Sequence, residues 1–218
     1  MTVRELLRGL PVFAGDLPAF DPSAAPDDPI ALFTAWFEEA VAAGVSEPHA
    51  MAVATADEAG APSARVVILK DLTPEGWWFA TTTTSRKGRE LAADPQAALL
   101  FHWREQGRQV RVGGVAELAT PGLCAADFRS RPPASRAAGL HGRQSDPLAD
   151  PAEMDRAFDE SRARVEADPS LVPDDWGLYV VRPVEVEFWQ GSPDRRHVRL
   201  RYRREESRGT WERGLLWP

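Results

Sequence analysis

Cys124 is the only cysteine in this 218-residue chain, so no intrachain disulfide can form and no thiolate metal cluster can assemble. No apolar run approaches the ~20 residues that a membrane-crossing helix needs. The opening Met1-Thr2-Val3-Arg4-Glu5-Leu6-Leu7-Arg8 lacks the apolar core of a secretory signal, so a cytoplasmic protein without a membrane partner is expected. An excess of positive charge is also missing. With 33 acidic and 26 basic residues the net charge is −7, which argues against a nucleic-acid partner. The four histidines (His49, His102, His141 and His197) fall at no metal-ligand spacing, and no metal is expected. No Gly-x-Ser-x-Gly elbow, Walker loop or Gly-x-Gly-x-x-Gly follows an expected strand. Without a nucleophile or a metal, any redox or group-transfer chemistry falls to a bound cofactor.

What is present is an ordinary globular composition, 43% hydrophobic and 27% charged. Residues 9–29, rich in proline, glycine and aspartate, predict an extended arm, and the arm as a whole is expected to span 1–27. One domain, mainly β with helical insertions, is expected over 28–218. Asp28-Pro29 predicts a helix start, Leu32, Phe33, Trp36, Phe37, Ala40 and Val41 an apolar stripe, and Gly44 the stop. The period then changes. His49–Ala56, Ser63–Lys70, Trp77–Thr83, Ala97–Trp103 and Gln109–Leu118 read as strands separated by turns, with one short helix at Ser85–Ala93. Residues 121–167 read as helical, with Met154, Ala157, Phe158, Ser161 and Val165 on one face. Strands return at Gly177–Val181, Glu185–Gln190, His197–Arg204 and Thr210–Leu216. Strands at this spacing predict an antiparallel barrel or sandwich.

Four segments carry the chemistry. If Arg195–Arg199 continues as a strand after the turn at Gly191-Ser192-Pro193-Asp194, then Arg195, His197 and Arg199 share one face, opposite Val198, Leu200 and Tyr202. Two guanidiniums beside an imidazole suit a flat, anionic small molecule. In Arg65-Val66-Val67-Ile68-Leu69-Lys70, alternation puts the two cations on opposite faces unless a bulge intervenes. Thr81 to Gly88 passes from strand to helix, which suits equally an ordinary N-cap with exposed basic residues and a phosphate cradle of free N–H groups, hydroxyls and two cations; cations there oppose the helix dipole, a cost that a bound anion offsets. The run Arg129 to Arg136, with Gln144-Ser145 downstream, suits either phosphate contact or a solvated loop.

In this order, the segments Arg65–Lys70, Ser85–Leu91, Arg108–Val112, Ser130-Arg131-Pro132, Gln144-Ser145, Glu187–Gly191 and Arg195-x-His197-x-Arg199 resemble the pyridoxine/pyridoxamine 5′-phosphate oxidase family. The resemblance implies an FMN-binding split β-barrel that works as a homodimer, with FMN at the subunit interface. It assigns Arg65, Val66, Val67, Ile68, Leu69, Lys70, Ala80, Thr81, Arg86, Lys87, Gln109, Gln144, Ser145, Trp189 and Arg199 to the cofactor. Lys70, Asp127, Arg131, Ser135, Arg195 and His197 go to a small phosphorylated pyridine substrate, with Arg195 and His197 as the catalytic pair. The implied reaction is hydride transfer from the substrate's 4′-carbon to the flavin, followed by reoxidation with O2 to H2O2, giving pyridoxal 5′-phosphate.

This chain departs from the family pattern on the substrate side. Asp127 stands where the family usually has a tyrosine, and a carboxylate there repels phosphate unless a cation such as Arg131 neutralises it. Leu140-His141-Gly142-Arg143 replaces a stretch that usually contains tryptophan. Arg136, Val198 and Leu215 replace a usual glutamine, aspartate and arginine. Two alternatives follow: a related flavin oxidase of another reduced heterocycle, as in phenazine biosynthesis, and a non-catalytic flavin carrier. Lys70 favours the first assignment over the phenazine branch.

Overall fold

Short runs of Val, Ile, Phe, Trp and Thr become strands, and the apolar stripes at 3.6 spacing become helices. The computed structural model describes residues 1–13, 15–204 and 209–218. In chain order the elements are α1 (Val3–Arg8), α2 (Pro29–Ala42), β1 (Ala50–Ala56), β2 (Pro62–Ile68), β3 (Asp71–Thr73), β4 (Gly76–Thr82), α3 (Arg86–Ala93), β5 (Gln96–Trp103), β6 (Arg108–Leu118), α4 (Pro121–Ser130), α5 (Pro133–Leu140), α6 (Pro151–Ala167), β7 (Trp176–Gln190), β8 (Val198–Arg204) and β9 (Trp211–Leu215). The hydrogen-bonded strand order is β2-β1-β5-β6-β7-β4-β3, with β8 on β7 and β9 on β8. The contacts divide the chain into two compact units.

The first unit comprises residues 1–50, 99–112 and 184–218. Helix α2 is capped by Asp28, whose carboxylate accepts the Ile30 N–H at 2.9 Å, and Gly44 follows with φ +71°. It buries Leu32, Phe33, Trp36 and Ala40, while Val41 stays exposed. Phe33 packs edge-on against Phe101 and Trp36 against Phe188, with centroids 4.8 and 5.2 Å apart. Beneath them lies Arg108, 2% exposed, with its guanidinium 4.2 Å from the Trp36 ring centroid, paired with Glu39 at 2.6 Å and donating to Gln190 at 3.0 Å. Full pairing is what allows that charge to be buried. The expected extended arm begins instead with α1, because Thr2 and Glu5 form a reciprocal capping box. Further along it Pro22–Ala24 makes a 3₁₀ turn; Ala14 lies outside the described residues.

The second unit comprises residues 51–98 and 113–183. Strand β4 buries Trp77 and Phe79 and runs antiparallel to β7, Trp77 opposite Val181 and Thr82 opposite Trp176. Gly76 has φ +143°, and a Cβ there would sit 2.1 Å from the Val181 carbonyl oxygen, so only glycine permits this approach. Cys124 and Phe128 of α4 pack with Trp176 as a smaller core.

Two sequence expectations are corrected. The strands Gly177–Val181 and Glu185–Gln190 are one continuous strand, β7. Pro183 falls between the β4 register, which ends at Val181, and the β8 register, which starts at Glu185, so its missing N–H costs neither of those ladders a bond. The stretch 121–167 is helical as expected, in three helices divided by Arg131-Pro132 and by 141–150. On α6, Ser161 and Val165 are buried as expected, but Met154 is exposed.

Candidate cofactor and substrate site

Strand β2 presents Ser63, Arg65 and Val67 on its half-buried face and Ala64, Val66 and Ile68 on its exposed one. Alternation ends at Ile68, so Lys70 is not bound by it; its N–H instead donates to the Trp78 carbonyl at 2.8 Å. Arg65 and Lys70, expected on opposite faces, consequently both line one cavity of about 770 Å³, all of whose lining belongs to the second unit. That volume lies within the ~300–1,000 Å³ typical of ligand sites.

Behind β2 a single carboxylate organises the cations. Glu90, 5% exposed, accepts from Thr55 Oγ1 at 2.5 Å, Ser63 Oγ at 2.7 Å, Arg65 Nη2 at 3.2 Å and Arg86 Nε at 2.7 Å. Burial alone would raise its carboxyl, but the hydrogen bonds from Thr55, Ser63, Arg86 and Arg65 outweigh it and hold the group at about 2. Glu90 was not among the residues expected at the site. Its i,i+4 spacing from Arg86 was the available signal.

Where β4 gives way to α3, Ser85 caps the helix by accepting the Gly88 N–H at 3.2 Å. Lys87 is 6% exposed; its ammonium donates to Thr81 Oγ1 at 2.9 Å and has no carboxylate within ion-pair distance among the described residues. Burial first, and repulsion from Arg65 second, push its amine down to about 8. A desolvated cation at a helix start, where the dipole already carries positive charge, is an arrangement that a bound anion stabilises. Gln144 Oε1 accepts from Thr81 and Thr82 at 3.2 Å, and Ser145 Oγ accepts the Arg86 N–H at 3.3 Å, which ties the predicted Gln144-Ser145 pair to this junction. These donors and cations fit the phosphate of a flavin mononucleotide, and β2 lines the same cavity.

A second cationic group comes from α4 and the start of α5. Helical spacing puts Asp127 and Arg131 on one face. Asp127 pairs with Lys70 at 3.1 Å and accepts the Trp176 indole N–H at 2.9 Å. The Arg131 guanidinium lies 4.2 Å from the Trp176 ring centroid, and its Nη1 is buried without a hydrogen-bond partner among the described residues. Burial lowers the Arg131 pKa, opposed by the Asp127 charge. Ser135 lines the same cavity. Arg136 does not serve it; its Nη2 donates to the Pro169 and Leu171 carbonyls at 2.7 and 3.1 Å.

Of the expected residues, Arg65, Val66, Val67, Ile68, Lys70, Ala80, Thr81, Arg86, Lys87, Arg131, Ser135, Gln144 and Ser145 line this cavity. Leu69, Gln109, Asp127, Trp189, Arg195, His197 and Arg199 are not in its lining, although Asp127 reaches it through Lys70 and Trp176. Sequence reasoning missed Thr82, His141 and Trp176 as lining residues.

The shared strand face for Arg195, His197 and Arg199 is also corrected. Strand β8 starts at Val198; Arg195 sits in a turn with φ +67°, its N–H donating to the Ser192 carbonyl at 3.0 Å. His197 folds back instead, accepting the Ser192 N–H on Nδ1 at 3.0 Å and packing against Trp189 and Phe13 with centroids 4.8 and 5.6 Å apart. Alternation holds from Arg199 on, with Leu200 and Tyr202 buried. Arg199 makes a two-point pair with Glu187, at 2.8 and 3.1 Å, and donates to the Trp217 carbonyl at 2.9 Å.

The family model for pyridoxamine 5′-phosphate oxidase matches residues 37–167, and that for the pyridoxine 5′-phosphate oxidase C-terminal dimerisation region matches 176–218. A pyridoxine/pyridoxamine 5′-phosphate oxidase of Salinibacter ruber is 44% identical over 88% of this chain and 90% of its own; one from Anaeromyxobacter dehalogenans is 46% identical over 90% and 98%. Among solved structures, PhzG from Burkholderia lata, in complex with tetrahydrophenazine-1-carboxylic acid, superposes with a TM-score of 0.87 at 34% identity, over 94% of this chain and 100% of its own. An FMN-binding protein of Nostoc punctiforme has a TM-score of 0.72 at 19% identity, over 88% and 98%, and shows the fold alone. The fold is the mainly β split barrel with helical insertions that the sequence predicts, and the chain belongs to the pyridoxamine 5′-phosphate oxidase family.

Proposed function

We propose that the protein is an FMN-dependent oxidase that converts pyridoxamine 5′-phosphate or pyridoxine 5′-phosphate to pyridoxal 5′-phosphate, with O2 as acceptor and H2O2 as product. The carrying observation is that two sets of cations line one cavity: Arg86 and Lys87 at the start of α3, and Lys70 and Arg131 with Ser135. One set suits the cofactor phosphate and the other the substrate phosphate. Thr81, Gln144 and Ser145 complete the cofactor cradle with hydroxyl and amide groups. FMN, when bound, supplies the two-electron acceptor; the protein supplies binding, orientation and charge balance.

The enzyme works as a homodimer in this proposal. Support comes from the match of residues 176–218 to a dimerisation region and from the exposure of the apolar Val66 and Ile68, at 69% and 41%, on the strand that lines the cavity. Gln109, Trp189, Arg195, His197 and Arg199 complete the site from the partner subunit. Arg195 and His197 then orient the substrate ring and balance charge as it is oxidised.

The test is spectroscopic. Purified protein loaded with FMN is mixed anaerobically with each vitamer: bleaching near 450 nm, reversed by O2, is the expected result (~450 nm being the flavin's own chromophore rather than a property of this chain). Failure of both vitamers to bleach a yellow protein refutes the substrate assignment. The likeness to PhzG supports one rival, a reduced heterocycle bearing a carboxylate, and bleaching by such a compound alone would establish it.

A further inference from the structure

The cation set proposed for the substrate phosphate contains a carboxylate. Asp127 has a side chain 9% exposed and is fixed twice, by Lys70 at 3.1 Å and by the Trp176 indole at 2.9 Å. The charged groups facing it are Lys70, from the segment between β2 and β3, and Arg131, at the end of its own helix. From β7 it meets the non-titrating indole of Trp176; α5 offers the cavity Ser135 and turns Arg136 away toward backbone carbonyls. One turn earlier on α4, Cys124 directs its thiol to the Ala119 carbonyl.

Lys70 and Arg131 against Asp127 leave one net positive charge, while a phosphate monoester at pH 7 carries close to two negative charges. A dianion here either faces a carboxylate or strips Lys70 from it, which leaves the buried Asp127 carboxylate held by the Trp176 indole N–H without its ion-pair partner. One proton removes the conflict, because a phosphate O–H donating to a carboxylate is a short, charge-assisted hydrogen bond. The second pKa of such a phosphate lies near ~6, so that proton is readily supplied.

We propose that Asp127 makes this subsite bind the substrate phosphate with one proton held between a phosphate oxygen and the Asp127 carboxylate, so that a dianionic ligand takes up one proton from solvent on binding. Lys70 and the unpartnered Nη1 of Arg131 supply the remaining donors. Asp127 is in this way a specificity-determining residue for the charge state of the ligand. The inference rests on the function proposed above.

The probe is 4-deoxypyridoxine 5′-phosphate, which keeps ring and phosphate but has no oxidisable 4′-substituent, titrated calorimetrically into the oxidised FMN holoenzyme in buffers of differing ionisation enthalpy. At pH 8 the wild type is expected to take up about one proton per ligand, and its Kd to rise about tenfold per pH unit between 7 and 8.5. Asp127→Asn keeps an acceptor for Trp176 and gains an N–H for the dianion; its uptake falls to near zero, its Kd flattens, and binding at pH 8 tightens about tenfold. Asp127→Glu restores the uptake. Ligand binding by the wild type with no proton taken up, or equal uptake in wild type and Asp127→Asn, overturns this inference alone. Failure of the wild type to bind the probe, with no bleaching by either vitamer, overturns it together with the proposed function.

Discussion

At the scale of single residues, charge is placed ahead of the ligand. Lys87 has hydroxyl company from Thr81 but no carboxylate at ion-pair distance among the described residues, and burial brings its amine down to about 8. A phosphate in the cradle favours the charged form, so the bound-state pKa lies above the free one. It follows that FMN affinity is level between about pH 7 and 8 and weakens as pH rises beyond it, where the free protein has already lost the proton. Lys87→Met is expected to weaken FMN by roughly tenfold to a hundredfold at pH 7, the worth of a charge-assisted hydrogen bond, and to flatten the alkaline limb. Flavin fluorescence titrations from pH 7 to 10 read both effects; parallel curves for the two proteins would refute the role. Glu90 is the complementary case. Its carboxyl is lowered from 4.5 to about 2, so its stabilisation is fully present above pH 4.5 and is lost as pH falls toward 2. Glu90→Gln takes the ion-pair partner from Arg65, which keeps only the neutral acceptors Val53, Thr55 and Ser63, and costs about 3 kcal/mol at neutral pH. Urea unfolding at pH 7 and pH 3 should show that penalty shrinking in acid; an equal penalty at both would mean the carboxylate's charge is not what matters.

At the scale of elements, the junction of β4 and α3 is the tightest construction in the site. A Cβ on Gly88 would lie 2.4 Å from the Thr83 carbonyl oxygen and 2.5 Å from that of Thr82, both backbone atoms that cannot swing aside. Gly88→Ala gains about 1 kcal/mol of helix propensity, but overpacking of this kind costs about 1–3 kcal/mol or more. The clash wins: a lower melting temperature together with weakened FMN retention is expected, and unchanged FMN affinity would show that the junction does not shape the cradle. This junction was legible in the sequence, since Thr81–Gly88 carries hydroxyls, a cap and paired cations in order. So were α2 and the face bearing Leu200 and Tyr202, where apolar periodicity is strong. Other elements were not. Pro183 read as a break because its position between two ladder registers is a tertiary fact. Arg195 and His197 read as strand because nothing local announces a left-handed residue at Arg195. The Lys70–Asp127 pair joins residues 57 positions apart, beyond the reach of any local pattern.

At the scale of the whole molecule, the expected site residues fall into two groups. One lines the cavity; the other, including Arg195, His197 and Arg199, does not. The Arg199 guanidinium is occupied within its own subunit by Glu187 and the Trp217 carbonyl, and the Glu187 carboxyl, which burial would raise, is lowered by its hydrogen bonds from Arg199 and Arg111. The proposed homodimer reconciles the two groups, because twofold symmetry makes each subunit donate to the other's cavity what its own receives. Complementation tests this directly. Lys87→Glu destroys the cofactor cradle of its own cavity, and Arg195→Leu removes a substrate contact while leaving FMN bound; each homodimer is inactive or nearly so. After unfolding and refolding together in equal amounts, half the dimers are mixed, and each mixed dimer has one cavity with both Lys87 and Arg195 intact, so activity returns to about a quarter of wild type by symmetry. If Arg195 served the cavity of its own subunit, every cavity in the mixture would still carry one lesion, and activity would stay at the average of the two parents.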